Sequence, residues 1–531
     1  MFQKLLDKIK LWLLLKSKQE KDQDQLPTEM VEGKKIVKRL KQNQTLIEDV
    51  FADNYDICIR EFSVTKYNLK DAFLVFIDGL TEEKIMSENI LKPLMNSTEK
   101  AIDLKKITKS IISTPNIGEA FTIEEVVEGV TGGKAALFLA GEQRAILIDS
   151  VAFESRAVEK PEVETTIRGP KESFVETLSV NTSLLRRKLN NSNLKLEQIT
   201  LGQQTKTNVC LAYIKGIANE KIVDEVRSRV SRIEIDAILE SGYIEEFIVD
   251  HPLSVFSTVA NSEKPDIVAG KLLEGRIAIF VNGTPTVLTV PHIFVESLMT
   301  AEDYYSAPYL VSVIRIIRYA AFVLALLLPA IYIAVVSFHP ELLPTELAIS
   351  VAIASEGVPF PKAVEVILMG FLFEILREAG VRMPRAVGQA ISIVGALILG
   401  DAAINAGLVG APVVIVTALT AISSFIVPPL TDAVTLLRLV AILFASAMGL
   451  PGVLTFIIGL VIHLSSLRSF GVPYLYPLAP LDIKSLKDVF IRVPWWLMVN
   501  RPGLLSKDNR KRANLRQRPS PYRDELERND S

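Results

Sequence analysis

The sequence predicts an α/β region made of two related subdomains, followed by an all-α polytopic transmembrane domain. Three observations carry that prediction. Charge and apolarity are segregated: the 531 residues sum to a net charge of only −2, yet the front half is rich in charge while Tyr319 to Leu467 is overwhelmingly apolar. From about Asp56 the apolar residues fall into short runs of period two, the pattern of strands half-buried in a sheet. The same series of elements then occurs a second time.

In its first occurrence the series reads ICIREFSV, FLVFIDGLTEEKI, a helical stretch, and the hairpin AALFLAGEQRAILI. In the second it reads LKLEQITL, CLAYIKGIANEKI, a helical stretch, and RIAIFVNGTPTVLTV. Ile57, Ile59, Phe62 and Val64 align with Leu194, Leu196, Ile199 and Leu201, and Ile77, Gly79, Lys84 and Ile85 align with Ile214, Gly216, Lys221 and Ile222, all at an offset of 137 residues. Phe138 and Gly141 align with Phe280 and Gly283 at an offset of 142, as a five-residue insertion would produce. The expected organisation is a variable start over residues 1–50, disordered or amphipathic, then a first α/β subdomain over 51–160 and a second over 161–310. A transmembrane domain over 311–470 and a basic tail over 471–531, disordered at its end, complete the chain.

Between the copies, VEKPEVETTIRGP reads as a linker ending in a Gly-Pro turn. Beyond it Phe174, Leu178, Leu185 and Leu189 share a helical face, with Asn181 and Thr182 near the middle. Either this helix covers its own sheet or it forms an interface in an oligomer. Arg186, Arg187 and Lys188 gather in its last turn, where cations suit the helix dipole.

Nothing in the soluble region carries a catalytic signature. GVTGGKA, at Gly129 to Ala135, is one residue short of a phosphate-binding loop, has Ala135 in place of Ser or Thr, and leads into a strand where a helix is required; it reads as the approach to a hairpin. Asp56, Glu61 and Asp78 fit strand ends or turns. The two cysteines, Cys58 and Cys210, have no partner spacing, and His251, His292, His339 and His463 are too scattered for a metal motif. No enzymatic activity, metal, cofactor or nucleic-acid partner is expected. The N-terminal MFQKLLDKIKLWLLLKSK has a short apolar run and no cleavage site, which reads as no signal peptide.

In the apolar half, five segments are clear: Tyr319 to Phe338, Ala386 to Leu408, Ala411 to Val427, Ala433 to Leu450 and Val453 to Leu467. Arg315 and Arg318 before the first place the soluble region in the cytoplasm by the positive-inside rule, and HPELLPTE, without Lys or Arg, falls outside. Arg377, Arg382 and Arg385 fall inside again, so a sixth crossing must lie between Glu346 and Leu376. The basic tail is then cytoplasmic, where its cations can meet anionic lipid headgroups.

That sixth stretch carries Lys362, Glu365 and Glu374, each costing about 2.5–3.5 kcal/mol at a helix centre. Glu365 and Glu374 are candidate pore or gating groups, but nine residues set them about 180° apart on a straight helix. A helix broken around Pro359, Pro361 or Gly370 reconciles them; alternatively Glu374 pairs with Arg377 near the inner interface and only Glu365 is deep. Asp401 and Asn405, one turn apart, sit either at a pore mouth or at an interfacial helix end. Gly388, Ser392, Ala396 and Gly400 recur every four residues, a ladder that admits close helix packing. Pro329 is expected to kink the first crossing.

The stretch PFP, FEILREAG, R-x-P, GQA and IVGALILGDAA, in that order, resembles the A subunit of the GerA-type spore germinant receptor of endospore-forming bacteria. The resemblance continues in RGPKESFVETLSVNTSLLRRKL, TKTNVCLAYIKGIAN, ILESGYIEEFI, FHPELLPTEL and LRSFGVPYLYPLAP, covering about Arg168 to Pro480. It implies a subunit of the spore inner membrane working with a transporter-like B subunit, the likelier nutrient binder, and a lipoprotein C subunit. It also implies nutrient-triggered germination with early release of monovalent cations, and makes this chain a candidate ion-conducting element assembling with copies of itself. A non-conducting scaffold that relays the signal is the rival reading. A permease is disfavoured, because the segments show no inverted repeat.

Overall fold

The computed structural model describes residues 27–513, apart from 65–69, 83, 98–103, 115, 151–163, 165, 384–397, 484, 507–508 and 510. Helices α1 (Pro27–Val31) and α2 (Leu40–Val50) precede a five-stranded antiparallel sheet of order β1-β2-β4-β5-β3. Its strands are β1 (Ile57–Val64), β2 (Lys70–Ile77), β3 (Ile117–Ala120), β4 (Ala135–Leu139) and β5 (Ala145–Ile148), with α3 (Ile123–Thr131) between β3 and β4. The capping box of Thr122 and Glu125 sets the start of α3.

The second sheet repeats the order as β6-β7-β9-β10-β8. It follows α4 (Leu178–Lys188) and consists of β6 (Leu194–Leu201), β7 (Thr207–Ile214), β8 (Ala260–Ser262), β9 (Ile277–Val281) and β10 (Val287–Val290). Helices α5 (Glu220–Ser231), α6 (Ser241–Ile248) and α7 (Pro265–Leu272) fill the connections. The register carries the duplication residue by residue: Ile57 faces Ile77 as Leu194 faces Ile214, and Phe73 faces Phe138 as Cys210 faces Phe280. Both offsets read from the sequence survive, because inward and outward side chains alternate and a one-residue slip would turn the apolar set to solvent.

The first boundary differs from expectation. The duplicated unit begins earlier than Asp56: the Asn43 amide closes two hydrogen bonds with the backbone of Val37, and Asn181 closes the same two with Val175. Residues 27–50 are therefore part of the first unit, with Ile47 and Val50 of α2 buried in its core. Helix α2 is polar on its outer face and has few apolar residues, so the sequence carries little periodic signal there. The amphipathic reading of the first residues lies outside the described residues.

Helix α4 covers its own sheet, with Leu178 and Leu185 in one core with β6, β7 and β9; Phe174 and Leu189 share that core but lie before and just after the helix, which is shorter than the expected face. Arg186 is not a solvated end-of-helix cation. It is 1% exposed and crosses to the first copy, where it binds Asp56 and Asn54. Lys195 of β6 likewise donates to the carbonyls of Val50 and Ala52 at the end of α2. The two sheets are thus tied by buried charges.

After β10 come α8 (Pro308–Phe338), which continues through Pro329, α9 (Thr345–Ile353) and α10 (Lys362–Arg382). Residues 398–405 are helical, followed by α11 (Ala411–Phe425), α12 (Thr431–Met448) and α13 (Leu450–Ser466). Among the described residues two helices, spanning Pro308–Phe338 and Pro428–Met448, are long and apolar enough to cross a membrane; α11 and α13 are shorter apolar helices. The bundle core joins α8, α12 and α13 through Ala325, Ala441, Ala445 and Phe456.

The chain downstream of α13 is a strap. Phe470, Val472, Tyr476 and Leu505 complete the core of the second sheet, and Leu505 is fully buried. Leu505 lies over Gly275, where a positive φ of +94° and a Leu505 carbonyl oxygen only 2.8 Å from where a Cβ would stand admit no side chain. The end of the tail, 514–531, lies outside the described residues.

Candidate functional site

The charged stretch forms one continuous helix, α10, beginning directly after Pro361 and running through Gly370. The break lies upstream, at the turn of Gly357 (φ +87°) to Pro361 between α9 and α10. Proline presets the helical φ and lacks the donor that an N-terminal position leaves unpaired, so PFP starts the helix rather than interrupting it.

Glu365 is accordingly in the first turn of α10 and not at its centre. It is completely buried, its neighbour Val366 packing with Ile333, Val413 and Ile442. One carboxylate oxygen accepts from Lys362 Nζ at 2.6 Å and the other from the backbone N–H of Gly410 at 2.8 Å, so one acid ties the start of α10 to the start of α11. A negative group is favoured at both helix N-termini.

Glu374 is on the other side of α10 and pairs with Arg377, which lies 4.0 Å from Asp432 of α12. The two acids therefore do not meet, and each has its own cation. Asp401 and Asn405 are exposed on the helical residues 398–405. Of the small-residue ladder, Gly388, Ser392 and Ala396 lie outside the described residues. Gly400 is described, and a Cβ there would stand 3.2 Å from Val414 of α11.

A second charged cluster, which sequence reasoning missed, joins the bundle to the α/β region. Arg315 of α8 is fully buried and binds Asp303 at 2.9 Å and Asp488 of the strap at 2.9 Å. Arg318 holds the same Asp303, and Tyr304 donates to Asp488 at 2.9 Å. Burial pushes the Asp488 carboxyl above its usual range and the Tyr304 hydroxyl well above its own. In the sequence the two arginines read as topology signals; that Asp488, 173 residues away, is the partner of Arg315 has no local signature.

Beside it, Glu296 binds Arg276, faces Lys271 at 3.9 Å and meets His292 at 3.4 Å, while His292 also contacts Ser297 at 3.0 Å. Burial opposes the charge of Glu296, but Arg276, His292 and Lys271 outweigh it and bring its pKa down to about 2. Burial lowers the pKa of His292. Among the described residues no cluster of His, Cys, Asp or Glu has the make-up of a metal site.

Residues 45–504 match the family described as Bacillus/Clostridium GerA spore germination protein. The chain is 41% identical to spore germination protein KA of Bacillus subtilis over 88% of its own length and 86% of that protein's. It is 36% identical to spore germination protein B1 of Bacillus subtilis over 90% of this chain and 99% of that one. Among solved structures, the N-terminal domain of the A subunit of the Bacillus megaterium spore germinant receptor GerK3 is 35% identical, covering 49% of this chain and 97% of that chain with a TM-score of 0.40. On the match across most of its length, the chain belongs to the GerA spore germination protein family.

Proposed function

We propose that this protein is the A-type membrane subunit of a nutrient germinant receptor, and that copies of it line a nutrient-gated cation path in the spore inner membrane. A transporter-like B subunit that binds the nutrient and a lipoprotein C subunit complete the receptor. Six crossings, with the soluble region and the tail both cytoplasmic, fit the anchoring of α8 and of the strap after α13 to the same second sheet, because chain ends on one side require an even number of crossings. The observation that carries the conducting reading is Glu365, a fully buried carboxylate within the helical bundle, flanked by helices that start and stop there. Rings of carboxylates lining a pore favour cation passage, and copies of this chain around a common axis would supply such a ring. Nutrient binding on the partner would separate α10 from α11 and free that charge.

The rival reading, a non-conducting scaffold, draws on the same residue: both oxygens of Glu365 are occupied, by Lys362 and by Gly410. Glu365→Gln removes the charge and keeps an oxygen for the Gly410 amide. Flux of monovalent cations across vesicles holding this chain with its companion subunits, with and without nutrient, separates the two. Nutrient-dependent flux that falls with Glu365→Gln is expected. An assembled, nutrient-responsive receptor without flux would give the ion path to another subunit.

A further inference from the structure

The loop from His251 to Phe256 holds the most exposed apolar residue of the second sheet's surroundings. Leu253 is 99% exposed, and Val255 at 38% and Phe247 of α6 at 55% lie close to it in the chain. Single exposed apolar residues are ordinary, but this loop is not free. The Ser254 hydroxyl lies 3.1 Å from Nε2 of His463, in the last turn of α13, and also accepts from the backbone N–H of Phe256. Phe256 is 2% exposed and packs with Phe294, Leu464 and Tyr474 in the core of the helical bundle. The chain directly after Leu253 is therefore fixed to the end of α13 through Ser254 and Phe256.

The height of that end in a bilayer follows from length. Helix α13 has 17 residues, which span about 25 Å at 1.5 Å per residue. The hydrocarbon core is about 30 Å thick, so a helix of that length starting at the outer boundary, where the uncharged loop before α13 is expected, ends within the inner boundary. Leu454, Ile458, Val461 and Ile462 form an exposed apolar stripe along the same helix, and Arg468 is exposed just past its end, the height at which cations meet headgroups. A loop bonded to His463 is carried to that boundary.

We infer that the His251–Phe256 loop is an interfacial anchor, with Leu253 inserted into the lipid at the cytoplasmic edge of the bilayer. Its occupant is lipid and not a protein partner. The inference rests on the membrane-spanning reading of the bundle. Its consequence is that the second sheet is held to the bilayer at a point separate from the Arg315 cluster, so that it cannot rotate freely about α8.

The test places an environment-sensitive fluorophore on Leu253→Cys in the full chain, reconstituted in phosphatidylcholine and phosphatidylglycerol vesicles, with the unsubstituted chain as background for Cys58 and Cys210. Vesicle flotation reports the membrane reading separately: a chain that stays at the bottom of the gradient removes both that reading and the anchor. In floated protein, a blue-shifted emission, quenching by lipids brominated near the carbonyl end of their acyl chains, and protection from aqueous iodide are expected. Iodide quenching equal to that of the free dye would overturn the anchor. Protection from iodide without quenching by brominated lipid would also overturn it, giving the surface to a second copy of the chain.

Discussion

The guanidinium of Arg186, on the helix of the second copy, grips the carboxylate of Asp56 ahead of the first strand of the first copy, with nitrogen to oxygen distances of 2.5 and 2.8 Å. Both side chains are buried. Removing one partner of a buried pair leaves the other charge unpaired, at a cost of about 3–5 kcal/mol, while removing both costs less. Arg186→Met and Asp56→Ala are each expected to lower the thermal unfolding midpoint of the full chain markedly, and the double variant to lose less than the sum of the two. Additive losses would show that the pair does not couple the copies.

The junction cluster predicts a proteolytic signature. With Arg315→Met, Asp303 and Asp488 lose their shared cation, and the strap should detach from α8 before the sheets unfold. Limited proteolysis is expected to cut within residues 480–513 several-fold faster than in the unsubstituted chain, with the sheets still protected. Leu505→Ala, which empties a fully buried seat, should have the same effect at a cost of about 2–5 kcal/mol.

Glu296 and His292 predict the acid limb of stability. The Glu296 carboxyl is held at about 2 against an ordinary 4.5, so the stability it contributes is complete above 4.5 and is lost as pH falls toward 2. His292 is depressed below its ordinary 6.5, so the unfolded chain takes up its proton first and stability falls with pH below 6.5. Glu296→Gln should reduce stability at neutral pH and flatten the loss between 4.5 and 2. A parallel downward shift of the whole stability-against-pH curve would contradict the assignment.

Helix packing gives a sharper steric prediction at Gly452 than at the ladder. A Cβ at Gly452, in the first turn of α13, would lie 2.0 Å from the carbonyl oxygen of Phe444 in α12. No rotamer relieves a clash with backbone, so even Gly452→Ala must separate the two helices. Loss of folded protein in detergent extraction is expected, whereas Gly459→Ala, with nothing within 4 Å of the added carbon, should be neutral.

The positions that were legible in advance share a property. The strand patterns that repeat at offsets of 137 and 142, the sheet-covering Leu178 and Leu185, and the pairing of Glu374 with Arg377 all rest on periodicity or spacing inside single strands and helices. Periodicity and short-range spacing report those directly. They do not report which residue 130 or 170 positions away completes a charge.

By itself, then, the sequence determined the family, the duplicated α/β region, and the apolar bundle with acids at Glu365 and Glu374. Only the tertiary structure decided that Arg186 belongs to Asp56, that Asp488 closes on Arg315, that Leu505 straps the tail to Gly275, and that Glu365 caps a second helix at Gly410. The reason is desolvation. A charge or a leucine taken out of water must find its partner wherever the fold places one, and that place is set by packing between elements rather than by distance along the chain.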